Sequence, residues 1–327
     1  MDNIDLRRYR FIGVSFVVGL IFLIWVGSFV RSTGSGMGCP DWPKCFGMWI
    51  PPTSVDQLPA DYQTKYAESY GTTTFNAFKT WTEYINRLIT GLISILAILT
   101  VVFAFPLRGL DKRIFNFSLA ALLLIVLEAV IGAIVVKRNL HTGTITIHTF
   151  IALLALIVAI SAVLVAYSVS QEKEKSDYLT LKPMGMVWSG VGVSLIVLVQ
   201  MLIGTKVREN VDVVAKTLGE EARGAWINNL GEYYTIHRIF YYLVAVALMY
   251  WVWQLRKYRF FNSGVVRVFS LGVIGLLLCE IAFGISMSLL GIPAVLQPLH
   301  LLFAVLIFAG SYIVTGTLYL AMGGSEL

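Results

Sequence analysis

Charge is scarce in this sequence. Asp, Glu, Lys and Arg together make up 13% of its 327 residues, about half the share that soluble chains carry. Hydrophobic residues reach 57% and mean hydropathy is +0.77. A water-soluble globular domain is excluded, because so apolar a chain has nowhere to hide its surface from water. Basic residues interleaved with aromatics, the footprint of nucleic-acid binding, are also missing. Imidazoles and thiols are scarce, with four histidines and three cysteines, so chemistry that needs them rests on few positions. The first apolar run is too long for a signal-peptide core and lacks a small-residue cleavage pattern. It reads as a retained helix, and without an Arg/Ser-rich leader before it the expected location is a bacterial plasma membrane.

What is present is long apolar runs. Stretches near 11–31, 84–106, 114–136, 144–168, 185–205, 234–254, 268–290 and 298–320 are each long enough to cross a hydrocarbon core of ~30 Å as a helix. The expected fold is an all-α membrane protein of eight transmembrane helices. Basic residues cluster at Arg7, Arg8 and Arg10, at Arg108, Lys112 and Arg113, at Lys173, Lys175 and Lys182, and at Arg256, Lys257, Arg259 and Arg267. The positive-inside rule makes these segments and both termini cytoplasmic, with Lys137-Arg138 in an outer loop as the contrary sign. The net charge of +6 suggests membrane lipid or an anionic ligand.

The chain repeats itself. Glu128, Gly132 and His148 are matched at the same spacing by Glu280, Gly284 and His300. Gly27 and Arg31 answer to Gly204 and Arg208, and Asn86-Arg87 answers to His237-Arg238. The repeat divides the chain into four-helix halves, 1–170 and 183–327, joined by a polar cytoplasmic linker at 171–182. Both halves enter the membrane in the same sense, so the repeat is parallel. Outer loops are expected at Ser32–Lys79 and Lys206–Tyr233, with a short outer connection at Gly291–Gln297.

Histidines at membrane depth are functional suspects, although one alone is as easily a buried ring satisfied by a neighbour. His237 and His300 each open a helix near the same outer face, an arrangement suited to axial ligation of a haem iron. Arg238 and Arg208 stand at that level, where guanidinium groups pair with haem propionates. Gly204 and Gly284 would let a flat macrocycle approach the backbone, or simply serve helix packing. The first half keeps Gly27, Arg31, Arg87, Gly132 and His148 but places Asn86 where the second has His237. It would therefore offer iron one ligand and leave the other side open; His141 is a weaker substitute ligand. Glu83 shares a helix face with Asn86 and Arg87. It reads either as an acid–base or charge-stabilising group for a reacting porphyrin substituent, or as the partner of Arg87. Glu128 and Glu280 read as buried carboxyls hydrogen-bonded between helices, or as groups for proton- or electron-coupled chemistry. Cys39 and Cys45, in GCPDWPKC, are placed for an outer disulfide, with exposed sulfur making it redox-active; metal binding is the alternative. Cys279 is a core residue.

The TGSGMGCPDWPKC stretch (Thr33–Cys45), the EYINR stretch (Glu83–Arg87), His148, the IHR triplet (Ile236–Arg238) and His300 resemble the haem A synthase family. With the duplicated four-helix plan, the resemblance covers nearly the whole chain. It implies oxidation of a ring methyl group of haem O to a formyl group by successive hydroxylations, for cytochrome oxidase biogenesis. It implies a resident haem b on His237 and His300, haem O in the first half at His148, Asn86, Arg31 and Arg87, Glu83 as catalytic residue, and a Cys39–Cys45 pair. Haem O synthase and oxidase assembly factors follow as partners, with a homo-oligomer as a candidate assembly. The family pattern has a histidine at the position of Asn86. Retention of Glu83, Arg87 and both cysteines points to a subgroup that binds substrate through His148 alone. A di-haem cytochrome b carrying electrons from quinol, and a haem-handling transporter, are the competing classes. Neither accounts for Glu83 and the cysteines occurring in one half only.

Overall fold

The computed structural model describes residues 3–66, 74–138, 140, 142–169 and 184–321. Eight helices long and apolar enough to cross a membrane follow one another through them. They are α1 (Asn3–Ser32), α2 (Ala77–Ala104), α3 (Lys112–Lys137), α4 (Thr142–Ser168), α5 (Met184–Leu218), α6 (Glu232–Lys257), α7 (Gly264–Leu289) and α8 (Leu296–Ala321). The chain is a multi-pass membrane protein. The linker at 171–182, with Lys173, Lys175 and Lys182, lies outside the described residues, as does His141.

Helix is the natural state of these runs, because in hydrocarbon a helix satisfies its backbone polar groups within its own segment. Local signals set the ends. The Asn76 side chain accepts from the Lys79 amide at 3.1 Å to start α2, and Asp111 accepts from the Arg113 amide at 2.8 Å to start α3. Pro106, just beyond α2, lacks the amide hydrogen that another helical turn would need. One helix departs from expectation. The second outer loop was placed from Lys206 onward, yet α5 continues to Leu218 and is 35 residues long. At 1.5 Å per residue that is about 50 Å, so its last turns stand beyond the apolar layer. They hold there because Lys206 pairs with Glu209 at 2.9 Å, and Val211 and Val214 pack against the buried Trp226 and Leu230.

Within the first half, α1, α2, α3 and α4 form a closed ring of neighbours; in the second, α5 packs on α6 and α8, and α7 on α8. The halves join through α1 with α8, α4 with α8, and α4 with α5. That leaves α4 and α8 innermost: 44% and 50% of their apolar windows are buried, against 17% for α1, α3 and α7. One apolar core runs through both halves, from Phe16 and Leu20 through Leu156 and Ile160 to Leu248, Trp251 and Phe308. Outward faces carry Leu92, Ile95, Leu123, Val130, Val246 and Leu278, all exposed, as lipid-facing positions should be; Cys279, expected in the core, is exposed beside Leu278.

Close helix approach depends on small residues at defined points. A Cβ at Gly190 would fall on Thr315 and lie 2.8 Å from Trp251 Cζ2, both on other helices and both buried. Gly190→Ala is therefore expected to cost about 1–3 kcal/mol by overpacking, read as a lower Tm in detergent. Gly192→Ala, where nothing lies within 4 Å of the new methyl, should leave Tm in place. Equal effects at the two positions would contradict this packing.

Candidate functional site

In the second half, α6 presents His237 in its second turn and α8 presents His300 in its second turn. Their ring centroids are 6.3 Å apart and their planes cross at 70°. Two imidazoles ligating one metal from opposite sides put their ring centres about 6 Å apart, given bonds of ~2 Å and the ring half-widths. Among the described residues no three His, Cys, Asp or Glu side chains converge as a bare metal ion would need. Haem brings four of its iron ligands with it, so two facing imidazoles are enough; the residues present fit that group. Behind His300, Glu280 Oε1 stands 3.2 Å from Nδ1. His237 has no carboxylate: its Nδ1 is buried without a hydrogen-bond partner, and its ring lies against Gly204. Gln200, not anticipated from sequence, donates to the His237 carbonyl at 3.1 Å.

The first half builds the same corner with one ring missing. His148 Nδ1 stands 2.6 Å from Glu128 Oε2. On α2, at the position of His237, Asn86 has its side-chain oxygen buried with no hydrogen-bond partner. Gly27, which answers to Gly204, has nothing within 4 Å of where a Cβ would sit. In the other three cases the nearest atom to that position is the Cε1 of an imidazole. A Cβ at Gly132, Gly204 or Gly284 would lie 3.9, 3.3 or 3.6 Å from Cε1 of His148, His237 or His300. Gly204 and Gly284, expected to let a macrocycle approach the backbone, thus lie beside the ring edges of His237 and His300.

Glu83 and Arg87 face the outer loop. Glu83 Oε2 accepts from the Cys39 amide at 2.9 Å and Oε1 from Arg87 at 2.5 Å. Arg87 also donates to the carbonyls of Asp41, Lys44 and Cys39 at 2.7, 2.9 and 3.2 Å. Thr80 donates to the Gly38 carbonyl at 2.9 Å, and a Cβ on Gly38 would lie 2.7 Å from the Thr80 amide nitrogen. The loop between Gly38 and Cys45 is thus laid on the backbone of α2 and clamped there. Cys39 and Cys45 form a disulfide, as expected. Both are fully buried, which corrects the expectation of exposed sulfur. The cover is Phe46 with its edge-to-face neighbours Tyr62, Tyr66 and Phe75, aromatics scattered too widely in sequence to announce a cluster.

Arg31 and Arg208, at matched positions of the repeat, meet each other. Both pair with Asp212: Arg31 at 2.9 Å, and Arg208 one helical turn before it. Arg208 also donates to the Arg31 carbonyl at 3.1 Å. Beside them, Thr146 on α4 donates to Glu209 at 2.7 Å. Asp212 follows Arg208 by four residues, a spacing legible locally; its bond to Arg31, 181 residues away, was not. Arg238 is exposed and lies over the Tyr234 ring at 5.5 Å.

The family model for COX15-CtaA, described as cytochrome oxidase assembly protein, matches residues 10–311. The chain belongs to this family. Among curated relatives, a protein named Heme A synthase from Shewanella oneidensis is 25% identical over 309 residues, covering 85% of this chain and 86% of its own length. Another of that name, from Halalkalibacterium halodurans, is 24% identical over 308 residues, covering 92% and 94%. The histidines, Glu83, Arg87 and the disulfide loop all fall within the span that the COX15-CtaA match covers.

Arg87→Lys keeps the charge beside Glu83 but loses the fork that reaches three loop carbonyls. Losing two charge-assisted hydrogen bonds should loosen the loop enough for dithiothreitol to reduce Cys39–Cys45 roughly tenfold faster or more. Thiol labelling over time in detergent reads this, and an unchanged rate would show that something else holds the loop.

Proposed function

We propose that this chain is a haem A synthase, oxidising a ring methyl group of haem O to a formyl group for cytochrome oxidase. The single observation carrying the reading is the asymmetry of the two histidine corners. One corner offers facing imidazoles at 6.3 Å; the other has His148 against Glu128 and, at the position matching His237, a buried side-chain amide, Asn86. Two strong ligands close an iron to anything else and suit electron transfer. One strong ligand opposite a poor one leaves a side of the iron open for chemistry.

In this reading His237 and His300 hold a resident haem b, with Arg208 and Arg238 beside its carboxylate edge. Haem b bound there supplies one-electron transfer. His148 binds the iron of haem O in the first half, Asn86 lines the opposite side, and Arg31 and Arg87 stand at the outer level. Glu83, three residues before Asn86 on α2, is the catalytic carboxylate, serving the substituent being oxidised as acid–base group or by stabilising charge. Its orientation comes from the Cys39 amide and Arg87, so the disulfide loop sets where that carboxylate points. The location is the bacterial plasma membrane with both termini cytoplasmic, which puts the disulfide on the oxidising side. Haem O would arrive from a haem O synthase through the lipid, which its apolar tail favours.

The test is to express the chain with a haem O synthase, extract the haems, and identify them by chromatography, mass and pyridine haemochrome spectrum. Haem A that depends on this chain is the expected result. Haem O left unchanged beside bound haem B would instead make the protein an electron carrier. Glu83→Ala should cut haem A on the order of 100-fold or more while the resident haem stays. His148→Ala should abolish haem A with the same retention, and His300→Ala should lose the resident haem.

A further inference from the structure

A histidine ligates iron through one nitrogen, and what the other nitrogen meets decides the tautomer, the ring orientation and the donor strength. Three histidines are placed for ligation here, and they are not equivalent. His148 and His300 each have Nδ1 against a buried glutamate oxygen, at 2.6 and 3.2 Å. His237 has none. The second oxygen of each carboxylate, Oε1 of Glu128 and Oε2 of Glu280, is buried without a hydrogen-bond partner. The imidazole is therefore the one polar group that each carboxylate faces. The N···O separations are those of hydrogen bonds, although neither Nδ1–H is aimed along the line to the oxygen.

Glycine completes the device. Gly132 and Gly284 follow their glutamates by four residues, one helical turn, and Cε1 of the same rings lies 3.9 and 3.6 Å from where their Cβ atoms would sit. Glutamate, glycine and histidine thus act together across one helix hairpin, α3–α4 and again α7–α8. The ring faces a carboxylate at Nδ1 and a glycine at Cε1, and Nε2 remains for a metal. In the first half this is the only histidine of the corner among the described residues, Asn86 standing at the position that matches His237.

We propose that Glu128 and Glu280 are positioning residues that hold Nδ1 of His148 and His300, select Nε2 for iron, and raise the donor strength of these two ligands. In the first half this makes His148 a single, strong ligand for the substrate iron, opposite Asn86. In the second it makes the resident site unequal, His300 donating more strongly than His237. The proposal rests on the functional reading above, but its main readouts do not need turnover.

Glu280→Gln keeps an acceptor for Nδ1–H and removes the charge; Glu280→Ala removes both. The purified holoproteins should retain haem, since His237 and His300 remain. Potentiometric titration should show the midpoint potential raised in Glu280→Gln and raised further in Glu280→Ala, because a nearby carboxylate favours ferric iron. Low-temperature EPR of the ferric form should change its g-spread most in Glu280→Ala, where the ring is released. For the first half, resonance Raman of the ferrous haem O complex should show a lower iron–histidine stretching frequency in Glu128→Gln than in the wild type. Unchanged potentials and spectra in both Glu280 variants would overturn the proposal for the second half, and an unchanged stretching frequency would overturn it for the first. A wild-type protein without a bis-histidine haem would instead sink the reading of His237 and His300 itself. Normal potentials and shifts without haem A formation would remove the synthase reading and leave this one standing.

Discussion

An imidazole inside an apolar bundle has no water to complete its hydrogen bonding, so the protein must supply a partner, and that partner must itself tolerate burial. The rest of this structure follows from that constraint. A carboxylate among membrane helices is costly on its own, and an imidazole nitrogen without a partner is costly too. Glu128 stands against His148 and Glu280 against His300, so each buried carboxyl has an imidazole nitrogen within 2.6 or 3.2 Å. The contact is possible only if the third and fourth helices of each half pack closely and in one register. A turn further along, a glycine lies beside the ring edge. Moving either helix by one residue would break the contact and strand two polar groups.

With that frame repeated, the two halves diverge at the outer surface. In the first, the outer end of α2 carries Glu83 and Arg87, which clamp a disulfide loop through four backbone groups. In the second, the matched positions are Tyr234 and Arg238; Tyr234 bonds to Ser288 at 2.9 Å. The cover there is Trp226 and Leu230 against the extended end of α5, with Arg223 donating to the Ile292 carbonyl at 2.7 Å. The scaffold is common, and the specialisation lies in what each half lays over it. Asn86 and His237 differ in the same sense, one residue changed in a repeated corner.

Much of this was legible in the residues, and the failures share a cause. The eight helices are readable because membrane helices must be long and continuously apolar. The Glu–Gly–His repeat is readable because equal spacing on equal hairpins survives without knowledge of the fold. The glycines, the arginines and the cysteines were harder. Their roles depend on what lies across a gap: a ring edge from the next helix for Gly132, Gly204 and Gly284, Asp212 for Arg31, and an aromatic cover for Cys39 and Cys45. Apart from Phe46, which directly follows Cys45, those partners sit on other elements of the chain.

Composition and spacing settle the class of protein, the number of spans, the duplication, and the three histidines proposed as iron ligands. These are properties of composition and of spacing within one or two helices, where period and length decide the outcome. Only the tertiary structure decided which groups meet. It put His237 and His300 at a separation suited to one iron, joined Arg31 and Arg208 on a single aspartate between the halves, and turned Glu83 and Arg87 to the disulfide loop. Such pairings are set by how helices cross, and crossing is governed by the packing of whole surfaces against one another. No short stretch of sequence carries that information.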